Sequence, residues 1–113
     1  MSKYLISFPS PAMKFPESDL EAVAHAAHEV LREAKAAGVW IFGGGIDESI
    51  APVMVESDGT LREGTYPQTA HIEGGYSVLE LASYEQAVAW AAKFAAACRC
   101  AQEVWVFQDD PEN

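Results

Sequence analysis

Two helix-opening signatures, Ser18-Asp-Leu-Glu21 and Ser83-Tyr-Glu-Gln86, fix a twice-run strand–helix–strand order, and that order leaves few folds open. In such a box the serine hydroxyl accepts from a backbone N–H three residues on, and the Glu or Gln side chain reaches back. Behind the first box, Leu20, Val23, Ala24, Ala27, Val30, Leu31 and Ala34 recur at three- and four-residue steps, and Gly38 supplies the stop. Behind the second, Ala87, Val88, Ala91, Phe94, Ala95 and Cys98 do the same. Strand character falls on residues 3–8, closed by Pro9 and Pro11, and on 39–42, closed by Gly43-Gly44-Gly45. Residues 52–56 and 60–63 flank Ser57-Asp58-Gly59 as a hairpin, and 75–81 and 103–108 complete the set. The polar tail, 108–113, is expected to fray.

The resulting order is β-α-β, a hairpin insertion, then β-α-β. It predicts an α+β, ferredoxin-like split βαβ fold, with two helices on one face of an antiparallel sheet. One domain over residues 1–113 is expected from the length and the absence of a linker.

The other sheet face then carries the argument. Alternation groups Tyr4, Ile6 and Phe8 on one side of their strand, Trp40 and Phe42 on one side of theirs, and likewise Tyr76 with Val78 and Trp105 with Phe107. The opposite parity holds Leu5, Val39, Ile41, Leu79, Leu81, Val104 and Val106, so neither side reads as polar. A sheet with one wet face should alternate with polar residues. A face this apolar calls for a cover, and a self-complementary two-fold homodimer is the commonest one.

Charge narrows the partners. With 17 acidic against 7 basic residues the net charge is −10, which opposes nucleic acid and anionic membrane surfaces. No apolar run approaches a membrane span, and the proline-broken N-terminus does not read as a signal peptide, so a cytoplasmic protein is expected. Cys98 and Cys100 have no second Cys/His pair at ligand spacing, so no metal is expected, and buried thiols at a helix end are the plainer reading. No dinucleotide fingerprint or Ser/His/Asp order occurs, and no cofactor is expected.

Residues 63–76, EGTYPQTAHIEGGY, follow neither period. Loops this long are commonly functional or disordered. Tyr66, Pro67 and Ile72 give this one apolar surface to bury, which predicts an ordered wall of a ligand cleft with Tyr66 packed inside.

With that loop between a hairpin and a strand, the chain resembles the YCII-related family, and in particular its DGPF branch. Glu63-Gly-Thr-Tyr-Pro-Gln-Thr69 and Gly74-Gly-Tyr76 fall in register with that branch's Asp-Gly-Pro-Phe-Ala-Glu-Thr and Gly-Gly-Tyr segments, with Glu63, Thr65 and Tyr66 replacing its Asp, Pro and Phe. Ala37-Gly-Val39 before a glycine-rich turn and the helix near Ser83 match as well. The resemblance spans roughly residues 3–108 and implies a dimeric α/β barrel with a cleft between sheet and loops. Some relatives carry a histidine on the first helix and an aspartate after the second strand, proposed as a catalytic pair. The closest matches are His28 and Asp47.

The residues themselves keep two readings open. His28 lies at the edge of the helical stripe, where a carboxylate partner would suit it to general acid–base work or merely tie the helix to a loop. His25, almost opposite the stripe, is solvated. Tyr66, His71, Tyr76 and Glu63 are the candidate ligand contacts. The chain is thus expected to bind a small organic molecule, with cofactor-free lyase- or isomerase-like chemistry at His28 and Asp47. The alternative is a non-catalytic ligand-binding or interaction module.

Overall fold

Tyr4, Ile6 and Phe8 set the frame. In the computed structural model, which describes Met1–Asn113, they point from strand β1 (Ser2–Phe8) toward two helices, and Lys3 and Leu5 point away. The helices are α1 (Leu20–Ala36) and α2 (Tyr84–Cys98). The other strands are β2 (Trp40–Gly45), β3 (Val53–Val55), β4 (Leu61–Glu63), β5 (Gly75–Leu81) and β6 (Glu103–Val106). Four of them form one sheet in the order β2-β5-β1-β6, every pairing antiparallel, and β3 and β4 form a separate two-stranded hairpin. This α+β order is compatible with the ferredoxin-like expectation. The sheet is open, with β2 and β6 at its edges, and does not close into a barrel within one chain.

The core lies between the sheet and the helices. Tyr4, Ile6, Leu79 and Leu81 meet Ala34 of α1 and Ala87, Ala91 and Phe94 of α2. Alanine at those helix positions lets the backbones approach the sheet closely. Ile6, Leu79 and Leu81 are at most 1 % exposed, so each contributes about 1.5–3 kcal/mol of apolar burial. The molecule is only 20 Å thick in its thinnest direction, one layer of sheet and one of helix. The second face is left largely open over Phe42 and Trp105, while Ser7, near the Tyr76 end of that face, is buried.

The two helix starts differ. Ser83 accepts from the Gln86 N–H at 3.2 Å, and the Gln86 Oε1 accepts from the Ala82 N–H at 3.1 Å, so the second box forms, displaced by one residue on its return side. The first does not. Pro16 leads into a 3-10 turn at Glu17–Asp19, and α1 begins from Asp19 with no side-chain cap. The Asp19 carboxylate instead accepts from Arg99 at 2.7 Å, joining the two helices at one end.

Strand β2 departs from expectation twice. It does not stop at Phe42 but runs on through the glycines, because Gly43, Gly44 and Gly45 pair with Ser77, Tyr76 and Gly75 of β5. The register also shifts between Trp40, opposite Leu79, and Phe42, opposite Val78. A residue inserted at such a bulge reverses the parity of the residues after it. Trp40 therefore packs on the helix side, 6.4 Å from the Phe94 ring, and Phe42 stands on the bare side. The hairpin makes no return to the core: Val53, Val55 and Leu61 are all exposed.

Candidate functional site

Glycine placement makes the cavity. On the helix side of β2 and β5 the successive positions are Gly43, Gly45, Gly75 and Ser77, so the sheet there presents almost no side chains. Two rings fold over the vacated strip. A Cβ on Gly43 would stand 2.5 Å from the Trp40 ring and 2.7 Å from the Tyr76 carbonyl oxygen, and one on Gly75 would stand 2.7 Å from the Phe8 ring. Residues with side chains cannot replace these two without moving the rings. Between this floor and α1 lies a cavity of about 360 Å³, within the usual range for small-molecule sites.

Its walls are mostly apolar: Ile6, Phe8, Met13, Leu31, Trp40 and Phe94. The polar contributors are His28 from α1, Glu48 from the segment after β2, Ser10, Ser77 and Gln102. Ser10 Oγ donates to Glu48 Oε2 at 2.6 Å, which fixes the carboxylate across the gap between the β1 exit and the β2 exit. Gln102 donates to the Cys100 carbonyl at 3.4 Å. Cys98 also lines the cavity, and burial, reinforced by the neighbouring Cys100 thiol, pushes its pKa up to about 11. Its thiol is therefore protonated at neutral pH and is a wall, not a nucleophile.

The expected site residues are dispersed. His28 does face the cavity, and no hydrogen bond engages its ring. Asp47 lines a different groove, and its carboxylate accepts from the Ser49 N–H at 3.0 Å and from the Ser49 hydroxyl at 2.6 Å. Those two bonds hold its pKa below the ordinary carboxylate value. His28 and Asp47 are not brought together; the carboxylate that shares the His28 cavity is Glu48. Tyr76 contributes backbone to the cavity, while its alternation with Leu79 and Leu81 puts its ring on the bare face, where its hydroxyl donates to the Ile72 carbonyl. Burial, then Glu73 and Glu103, raise the Tyr76 pKa, so it stays a phenol.

The loop from Gly64 to Gly74 is tied at both ends. Gly64 N–H donates to the Pro52 carbonyl at 3.3 Å and Ile46 N–H to the Gly74 carbonyl at 2.9 Å. A single 3-10 turn, Pro67–Thr69, sits between them, with Thr65 and Thr69 hydroxyls donating to the Tyr66 carbonyl. Gly74 has φ +122°, and a Cβ there would strike the Phe8 carbonyl oxygen, so only glycine fits. The loop walls a second groove of about 470 Å³ with Asp47, Glu48 and Ile50. His71 is on it, largely exposed, 3.6 Å from the Glu73 carboxylate. Tyr66 is not packed inside: it is 66 % exposed and faces a hollow beside Val53 and Val55 of the hairpin, which are themselves uncovered. Glu63 pairs with Val53 in the hairpin and is exposed.

Sequence reasoning set Glu48 beside Asp47 after the glycine run and chose Asp47, and it missed Ser77 and the glycine floor. Glycines at 43, 45 and 75 share one face once the strand pairing is known, and alternate glycines in a continuing strand were the available signal. His25 stands apart, 3.0 Å from Glu29 on the outer side of α1. No group of three or more His, Cys, Asp or Glu side chains is placed to hold a metal ion. No helix is long and apolar enough to cross a membrane. Comparison with models of known protein families and with curated proteins finds no match to this chain.

Proposed function

We propose that the chain is a YCII-related, DGPF-type cytoplasmic protein that dimerises through its bare sheet face and binds a small organic molecule in the cavity beneath α1. The observation that carries the binding reading is the side-chain-free strip of Gly43, Gly45 and Gly75, roofed by α1 into a cavity of about 360 Å³. Core positions are normally packed without voids. A cavity held open by three glycines and two displaced rings is built, because ordinary side chains there would have filled it. The Gly74-Gly75-Tyr76 start of β5 and the strand order support the family resemblance.

Dimerisation rests on a row of apolar side chains that crosses all four strands on the bare face. Phe42, Val78, Leu5 and Trp105 are successive register partners, with Phe42 69 % and Trp105 60 % exposed. A row that runs across every strand is the kind of surface a two-fold interface buries against its own copy. The acid–base reading keeps His28 and takes Glu48, which shares its cavity, as the carboxylate in place of Asp47. A second reading, a binding module without chemistry, is favoured by the absence of any hydrogen bond orienting the His28 ring.

Fragment screening by ligand-observed NMR tests the site, with Ala27→Trp as the control, because Ala27 lines the cavity from α1. Hits that bind the wild type and are lost in the variant support the reading. An absence of hits, or hits indifferent to the substitution, would overturn it. A hit recovered chemically unchanged after incubation favours the binding module over the enzyme. Light scattering at micromolar concentration should give about twice the 12.2 kDa chain mass, and a monomer would remove the dimer.

A further inference from the structure

We infer that the cavity beneath α1 selects neutral or cationic ring-sized molecules that carry a hydrogen-bond donor, and rejects carboxylates and phosphates. This rests on the ligand-binding reading above and adds the chemical class of the ligand.

The first ground is the charge inventory. Glu48 is the one carboxylate lining the cavity, and no lysine or arginine lines it. Four of the seven basic residues pair elsewhere, Lys3 with Glu80, Arg62 with Glu56, Lys93 with Glu33 and Arg99 with Asp19, and Lys35 does not line the cavity. Lys14 and Arg32 adjoin the lining residues Met13 and Leu31 in sequence, yet neither reaches the lining itself. Sites that bind carboxylate or phosphate present Arg, Lys or a cluster of N–H groups at a helix N-terminus. Here α1 faces the cavity through its middle, at Ala27, His28 and Leu31, and α2 reaches it at its C-terminal residue Cys98, so no α-helix N-terminus is offered. The chain's net charge of −10 adds a field of the same sign.

The second ground is the hydrogen-bond inventory. An ionised carboxylate only accepts. The proton of Ser10 is already given to Glu48, and the Gln102 amide N–H group is turned to Cys100, which leaves their oxygens as acceptors. Against these, the uncommitted side-chain donors on the lining residues are the His28 ring, the Trp40 indole N–H, the Ser77 hydroxyl and the weak Cys98 thiol, none of them a fixed cation. A ligand bearing an ammonium or hydroxyl group can satisfy Glu48 while its ring lies over the glycine floor between Phe8 and Trp40. A ligand carboxylate in the same place would meet Glu48 with no cation to offset it.

Benzylammonium, benzyl alcohol and benzoate test this, since they share one ring and one substituent carbon. Binding is read from amide shifts of Gly43, Gly45, Gly75 and Ser77 in two-dimensional NMR spectra, at about pH 8, above the ordinary imidazole range. Benzylammonium should bind at least about tenfold more tightly than benzoate, with benzyl alcohol between them. Glu48→Gln keeps the shape, removes the charge and sits on an exposed segment; it should bring the ammonium and carboxylate affinities to within about threefold. Its amide spectrum shows directly whether the fold is retained, and raising the salt concentration should narrow the wild-type preference in the same direction. Benzoate binding as tightly as benzylammonium, or a preference untouched by Glu48→Gln, overturns the inference and leaves the cavity a ligand site. If none of the three probes shifts the cavity amides, the ligand-binding reading falls with it.

Discussion

The two faces of the one sheet draw on similar residues and are used in opposite ways. On the helix side, Tyr4, Ile6, Leu79 and Leu81 are buried against the alanine-lined faces of α1 and α2, and the same side holds the cavity. On the other, Leu5, Val78, Phe42 and Trp105 form an equally apolar row whose two ends, Phe42 and Trp105, are exposed. The difference is therefore not one of composition. It comes from which parity the helices can reach, and, in β2, from a bulge that sends Trp40 to one face and Phe42 to the other. Burial on the helix face stabilises the fold, whereas much of the apolar area on the bare face stays exposed.

The largest contrast should appear on truncating one residue from each face. Leu79→Ala removes a fully buried side chain and should cost about 2–5 kcal/mol in chemical denaturation. Phe42→Ala, made on a ring 69 % exposed, should cost no more than about 0.5 kcal/mol at protein concentrations where the chain is monomeric. A Phe42→Ala cost that grows with protein concentration would sharpen the comparison, because it would show the bare face being covered by a second copy. Equal costs at every concentration would break it.

Glycines give a smaller contrast within a single strand. Gly43 points to the helix side, where a Cβ would crowd the Trp40 ring and the Tyr76 carbonyl; Gly44 points to the bare side, where a Cβ meets nothing within 4 Å. Gly43→Ala should therefore destabilise by about 1–3 kcal/mol through overpacking. Gly44→Ala should be neutral or stabilise by up to about 1 kcal/mol, by lowering the entropy of the unfolded chain. Thermal melts of the two variants side by side decide it. If both destabilise alike, the glycines serve the strand and not the cavity.

Much of this architecture was legible in the sequence, for local reasons. The periodicities of α1 and α2, the strand at 75–81 and the hairpin at Ser57-Asp58-Gly59 all rest on short-range physics, and all are present. What was not legible depended on strand pairing. A run of three glycines ends a strand unless a neighbour supplies the ladder, and β5 does so. The bulge in β2 has no local signature in Trp40-Ile41-Phe42, so alternation alone puts both rings on one face. The site was less legible still. His28 was singled out by the family resemblance and phased by local helical periodicity, and it does line the cavity, but seeing that Glu48 and not Asp47 shares that cavity requires knowing that Ser10 lies across the gap and that Ser49 captures Asp47. Tyr66 failed for a similar reason: its apolar neighbours belong to a hairpin that stands away from the core.

The smallest contrast concerns how firmly the covered face is held. Both helices lie on that face, and the sequence offers each the same opening device. Only α2 uses it, through the Ser83 hydroxyl accepting from Gln86 N–H and the Gln86 side chain accepting from Ala82 N–H. That pair satisfies donors at a helix start and sets the rotational phase at which Ala87, Ala91 and Phe94 meet the sheet. Ser83→Ala should therefore cost about 1 kcal/mol. Ser18 lies inside the 3-10 turn that precedes α1, where no cap bond forms, and the entry of α1 is held instead by Asp19 and Arg99. Ser18→Ala should change stability by less than about 0.5 kcal/mol, in the range of ordinary surface substitutions. Urea midpoints read both, provided the slopes of the transitions are unchanged. A Ser18→Ala loss matching that of Ser83→Ala would mean that the box at α1 does form in solution, and that the covered face is anchored the same way at both helices.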